Sequence, residues 1–207
     1  MTSHIKKHIA RTKETTGYYV IRIDAGRGNP FWMYVAAAAS ITFDELDQFL
    51  RSMWLDCCGH PSHFVVHNKT QHELIPNMDT SISDVLRDRT VLAHYYDSTV
   101  LRLGVVRMCG QIYAGVDDPG ADERFDNVPT KYNITVLALH DRVQFRCRNC
   151  RRESATVCAG FTMTGEGVLC MDCARLHDHA IENMRWALQS PRSGRCRYGM
   201  IDEGDQV

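Results

Sequence analysis

The sequence predicts an α+β protein: a mixed or antiparallel sheet with one main packed helix, followed by a small cysteine-bound module. Three observations carry this. Apolar stretches at 18–24, 31–37 and 134–139 read as strands. A capped stretch beginning at Thr42 carries apolar residues at helical spacing. Five of the nine cysteines fall between Cys147 and Cys173, in two Cys-x-x-Cys pairs with one cysteine between them.

Residues 1–16 form a basic tail with His4, Lys6, Lys7, His8, Arg11 and Lys13. It reads as a solvated tail or as an arm that touches phosphate. In Tyr18–Asp24, Tyr19, Ile21 and Ile23 share one face, with Val20 and Arg22 on the other. Gly26, Gly28, Asn29 and Pro30 supply a turn, and the chain returns through Phe31–Ala37. Thr42-Phe-Asp-Glu45 is a capping box, in which the hydroxyl bonds a free helix N–H and the glutamate reaches back. Leu46, Phe49, Leu50, Met53 and Trp54 make the core-facing stripe, and Gly59 is placed to end the helix.

Next come Asp56-Cys57-Cys58-Gly59-His60-Pro61-Ser62-His63 and a short strand, Phe64–His67. The hairpin, capped helix, Trp54, histidine pair and apolar strand resemble the Ri-plasmid ORF-3-like family of insertion-element passenger proteins. Tyr95-Tyr96-Asp97-Ser98-Thr99, followed by a strand from Val100 to Val106, is similar to that family's tyrosine–aspartate strand pair. The resemblance covers residues 17–140. This chain departs from it by lacking the Phe-Gly after the aspartate, and by Cys57 and Cys58 where many members have acidic or small residues. The resemblance implies an α+β fold and a link to plasmids or mobile elements, and it implies no activity. A helical turn at Asp84–Leu86, a solvated loop at Asp117–Glu123 and a last strand at Ile134–Leu139 complete this domain.

The module spans 141–198, with an acidic tail at 199–207. Cys147-x-x-Cys150, nineteen residues and Cys170-x-x-Cys173 have the spacing of a tetrahedral zinc site. Four thiolates close the coordination sphere and leave no water to activate, so this zinc is structural. A second zinc has candidate ligands in Cys158, His177, His179 and Cys196. Helical periodicity after Cys170 puts Cys173, His177, Ile181, Met184 and Leu188 on one face. The ligand order resembles a cross-brace module such as a B-box. That resemblance implies a second cysteine at position 161, where this chain has Phe161. The ending Ser190-Pro191-Arg192-Ser193-Gly194-Arg195-Cys196 resembles the closing motif of chains that join an ORF-3-like domain to a zinc module.

The formal charge is −1, so the whole molecule is no polyanion binder, and any nucleic-acid surface is a local patch. Arg142, Arg146, Arg148, Arg151 and Arg152 crowd the first cysteine pair, and Arg192, Arg195 and Arg197 lie near the end. A guanidinium fork on a rigid turn suits phosphate oxygens. Acidic neighbours such as Glu153 and Asp172 make a solvated face the alternative. The partners expected are therefore nucleic acid or another protein. Catalysis has one candidate: Cys57 or Cys58 as thiolate with His60 and His63 as bases, or the same residues as metal ligands. Their alternative is a packed helix end.

No glycine-rich phosphate loop occurs, so no dinucleotide cofactor is expected. The longest apolar run, Phe31–Ala39, is too short to cross a bilayer. No signal peptide is read at the N-terminus, and nine cysteines kept as thiols suit the cytoplasm.

Overall fold

A computed structural model describes residues 17–26, 29–55, 59–67, 72–109, 132–159, 167–177, 183–193 and 195–196. The basic arm, the Asp117–Glu123 loop and the acidic tail lie outside them. The chain divides into two compact units.

The first unit comprises the chain up to Gly26, Trp32–Phe49 and Ser62–His140. It is built on a seven-stranded sheet: β1 (Tyr18–Asp24), β2 (Trp32–Ala38), β3 (Ser62–His67), β4 (His72–Leu74), β5 (Val91–Tyr96), β6 (Thr99–Cys109) and β7 (Ile134–Leu139). The strand order is β4-β3-β5-β6-β1-β2-β7, and every neighbouring pair is antiparallel. The α+β class is as expected, and the sheet is antiparallel throughout.

Tyr19, Ile21 and Ile23 are buried and Arg22 is exposed, as the alternation in β1 requires. Val20, on the other face, is buried too. It packs with Tyr34, Trp32, Leu137 and Ala138, so both faces of the central strands carry apolar contacts. Asp97 turns the β5–β6 hairpin with φ at +50°, a conformation that aspartate tolerates because its short side chain bonds locally. The tyrosine–aspartate segment is therefore the tip of a hairpin between the two strands.

Helix α1 (Phe43–Leu50) starts where the capping box places it. The Thr42 N–H donates to Glu45 Oε2 at 2.8 Å, and the Glu45 N–H donates to Thr42 Oγ1 at 3.2 Å. Such a cap contributes about 1 kcal/mol. Phe43 and Leu46 are fully buried, and the Phe43 ring meets Phe64 of β3 at 5.1 Å. A buried polar pair joins α1 to β5: His94 Nε2 lies 2.5 Å from Asp47 Oδ1, with the residues 0% and 4% exposed. Helix α2 (Ile82–Val85) is a single turn capped by Ser81. It falls two residues ahead of the expected turn at Asp84, because the Ser81 hydroxyl accepts from the Ser83 N–H.

The second unit contains Arg27–Phe31, Leu50–Pro61 and Asp141–Val207. The C-terminal module thus shares one unit with two earlier segments. Past Leu50 the helix does not run on as an α-helix to Gly59: Arg51–Leu55 is a π-turn. One added residue in the turn rotates the stripe, so Trp54 and Leu55 are buried while Met53 is only half-buried. Trp54 packs edge-on to Phe31, ring centroids 6.3 Å apart. Its carbonyl accepts a hydrogen bond from the Ser190 hydroxyl at 2.6 Å.

Strands β8 (Thr156–Cys158) and β9 (Met184–Trp186) pair antiparallel, and α3 (Met171–Ala174) is one turn long. The helical face expected from Cys173 to Leu188 is not continuous, since α3 ends at Ala174 and a strand begins at Met184. Met184 lies in β9, opposite Cys158, and its side chain is buried from a strand. The backbone hydrogen bonds offered by β8 outweigh an apolar spacing that fits either period. Among the described residues no helix is long and apolar enough to cross a membrane.

Candidate metal centre

Both cysteine pairs sit on tight turns that the local sequence explains. In the first, the Cys147 N–H donates to the Arg152 carbonyl at 2.8 Å, and the Arg151 N–H donates back to the Cys147 carbonyl at 2.9 Å. Arg151 closes the turn with φ at +63°. In the second, Cys170 is the extended residue that opens α3, and its carbonyl accepts from the Ala174 N–H at 2.8 Å. A hydrogen bond from the Arg148 N–H to the Val168 carbonyl, 2.9 Å, draws the two turns together. The Ser154 and Thr156 hydroxyls both donate to the Leu169 carbonyl and hold the segment that precedes the second turn.

The result is a cluster of four sulfurs. Those of Cys147, Cys150, Cys170 and Cys173 all lie within 4.8 Å of one another, and this group can hold a metal ion. Cys150 Sγ and Cys170 Sγ are 3.6 Å apart. Two thiolates on a tetrahedral zinc, each about 2.3 Å from the ion, stand about 3.8 Å apart. Four soft donors at that spacing suit zinc. Cys147 is fully buried in a small core with Cys158, Leu169, Ala174 and Met184, so the centre is backed by apolar side chains on one side.

The electrostatics favour thiolate at Cys150 and Cys147 and oppose it at Cys173. The backbone N–H of Arg152 and its guanidinium lower the Cys150 thiol to about 6. The guanidinium Nε lies 3.4 Å from Cys150 Sγ, and Nη2 lies 2.8 Å from Asp172. For Cys147, burial pushes the thiol up, but backbone N–H groups of Cys150, Cys170 and Asn149 outweigh it and the net direction is down. The Cys173 thiol is pushed up to about 12, by its hydrogen bond to Cys170, by burial and by the other sulfurs. Without an ion, the cluster therefore shares protons unequally.

No protein-family model matches the chain, and no curated protein matches it. Among solved structures, it is similar to the crystal structure of a protein of unknown function, MM3350, from Methanosarcina mazei Go1. The TM-score is 0.40 and the identity 12%, over 51% of this chain and 67% of that one.

Cys158 is buried beside Cys147. His177 follows α3 and is half-buried, while Cys196 is exposed. Among the described residues, the four-cysteine group is the one set of three or more ligating side chains that converge. His179, Cys57 and Cys58 lie outside the described residues. His63 stacks flat on Tyr95 across β3 and β5, centroids 4.9 Å apart. His60 Nε2 lies 3.3 Å from Cys196 Sγ, a pairing across 136 residues that no local motif announces.

Of the arginines, Arg142, Arg146, Arg148 and Arg151 are exposed. Arg152 is engaged by Cys150 and Asp172. Arg192, which reads in the sequence as a surface charge, is fully buried.

Proposed function

We propose that the chain is a non-enzymatic, zinc-stabilised binding protein whose arginine-rich first cysteine turn contacts nucleic acid. The observation that carries this reading is the exposure of Arg142, Arg146, Arg148 and Arg151 along and beside a turn fixed by the four-sulfur group. A metal-fixed turn holds guanidinium groups at set positions, which lowers the ordering cost of gripping phosphate oxygens. Arg152 serves the sulfurs instead, as a donor that stabilises thiolate. The resemblance of residues 17–140 to insertion-element passenger proteins points to DNA of mobile elements as the setting.

Binding to a duplex through about four phosphates should weaken about a hundredfold between 50 and 200 mM salt. Arg146→Ala and Arg148→Ala should each flatten the log–log salt slope by about one. Fluorescence anisotropy with a labelled duplex measures both. No binding to DNA or RNA at low salt removes this reading.

One observation favours a protein partner instead. Leu176, just past α3, is 87% exposed. A large apolar side chain held open beside a rigid turn suits a protein contact, and binding there would depend weakly on salt.

A further inference from the structure

The segment after Ser190 is built into its unit with care that a free tail would not need. Ser190, Pro191, Arg192 and Ser193 are all buried. The Ser190 hydroxyl bonds the Trp54 carbonyl at 2.6 Å and accepts from the Arg192 N–H at 2.9 Å. The Ser193 N–H donates to the Ser190 carbonyl at 3.2 Å, and the Arg195 N–H to the Arg192 carbonyl at 2.9 Å. These turns deliver Cys196 to the surface in a left-handed conformation, φ +48°. A side chain with a Cβ seldom holds that conformation without surrounding structure to impose it.

Facing Cys196 is His60, also held by its backbone. The Arg51 guanidinium donates to the His60 carbonyl at 2.8 Å. The imidazole Nε2 stands 3.3 Å from Cys196 Sγ. With zinc about 2.3 Å from sulfur and about 2.05 Å from nitrogen, a tetrahedral angle sets S and N about 3.6 Å apart. The observed separation fits two ligands of one ion, as the 3.6 Å between Cys150 and Cys170 fits the four-sulfur group. Sulfur and imidazole are also the donor pair that zinc accepts most readily.

We propose that His60 and Cys196 are ligands of a second soft-metal site, separate from the four-cysteine group, which ties the C-terminal segment to the segment at His60. The ion it takes is zinc or another borderline-soft divalent cation. The proposal does not rest on nucleic-acid binding.

The test is metal content per chain, by elemental analysis of full-length protein purified in reductant with zinc supplied and loosely held ions dialysed away. Wild type should hold two zinc ions. Cys196→Ser and His60→Ala should each hold one, with an unchanged far-UV circular dichroism spectrum. His60→Cys, which keeps a ligand, should hold two, and it decides the matter if the other variants misfold. One ion in wild type, lost only on Cys170→Ser, overturns this proposal and leaves the four-cysteine reading standing. Two ions in wild type and still two in Cys196→Ser also overturn it. No ion in wild type removes both readings together.

Discussion

Replacing Cys170 by serine should cost the protein the ion of its four-sulfur group and unfold much of the surrounding unit, while the seven-stranded sheet survives. The small core there is Cys147, Cys158, Leu169, Ala174 and Met184, and its strands are three residues long. So little apolar burial cannot offset the entropy of ordering both turns and the strands between them. A structural zinc contributes about 10–16 kcal/mol of apparent binding energy to modules of this size, more than a typical domain's net stability. The sheet unit has its own core in Ile21, Val35, Leu46, Phe64 and Leu103, all fully buried. Hydrogen exchange read by mass spectrometry separates the outcomes. Peptides covering 145–175 should lose their protection in Cys170→Ser or after chelation, and those covering β1, β5 and β6 should keep it. Unchanged protection at 145–175 without metal would defeat the zinc reading.

Asp47→Ala should be the most damaging single change in the sheet unit, at about 3 kcal/mol or more. It strips a fully buried imidazole of a carboxylate partner 2.5 Å away. Removing one member of a buried pair leaves the other desolvated and poorly matched, which is where the large costs arise. The double variant Asp47→Leu with His94→Leu should recover a substantial part of the loss, since apolar groups of similar size satisfy the site without hydrogen bonds. Urea unfolding of Asp47→Leu, His94→Leu and the double variant closes the cycle. Additive losses would show that the two side chains do not depend on each other.

Much of the sheet unit was legible because its signals are local. The alternation in Tyr18–Asp24, the capping box at Thr42 and Glu45, and the apolar run at Ile134–Leu139 each sit where the sequence places them. The four-cysteine group was legible for the same reason, since spacing within a turn is written in adjacent residues. What could not be read depends on partners far along the chain. Strands β4, β8 and β9 are three residues each and exist through their neighbours. Met184 fits a helical spacing and belongs to a strand. Asp47 lies between core positions of α1 and looks like a solvated face until His94, 47 residues on, is brought against it. Arg192 looks like a surface charge until Ser190 folds its segment inward. Cys196 has no sequence neighbour that would name His60 as its contact.

The strand order also bears on how this chain behaves at high concentration. One border of the sheet is β4, which is three residues long and wholly exposed. A border strand displays unpaired N–H and C=O groups that recruit strands from other molecules. At three residues, β4 offers too few of these groups to fix an incoming strand in register. Crowded copies should therefore stay apart along that border, despite the strongly apolar strands just behind it.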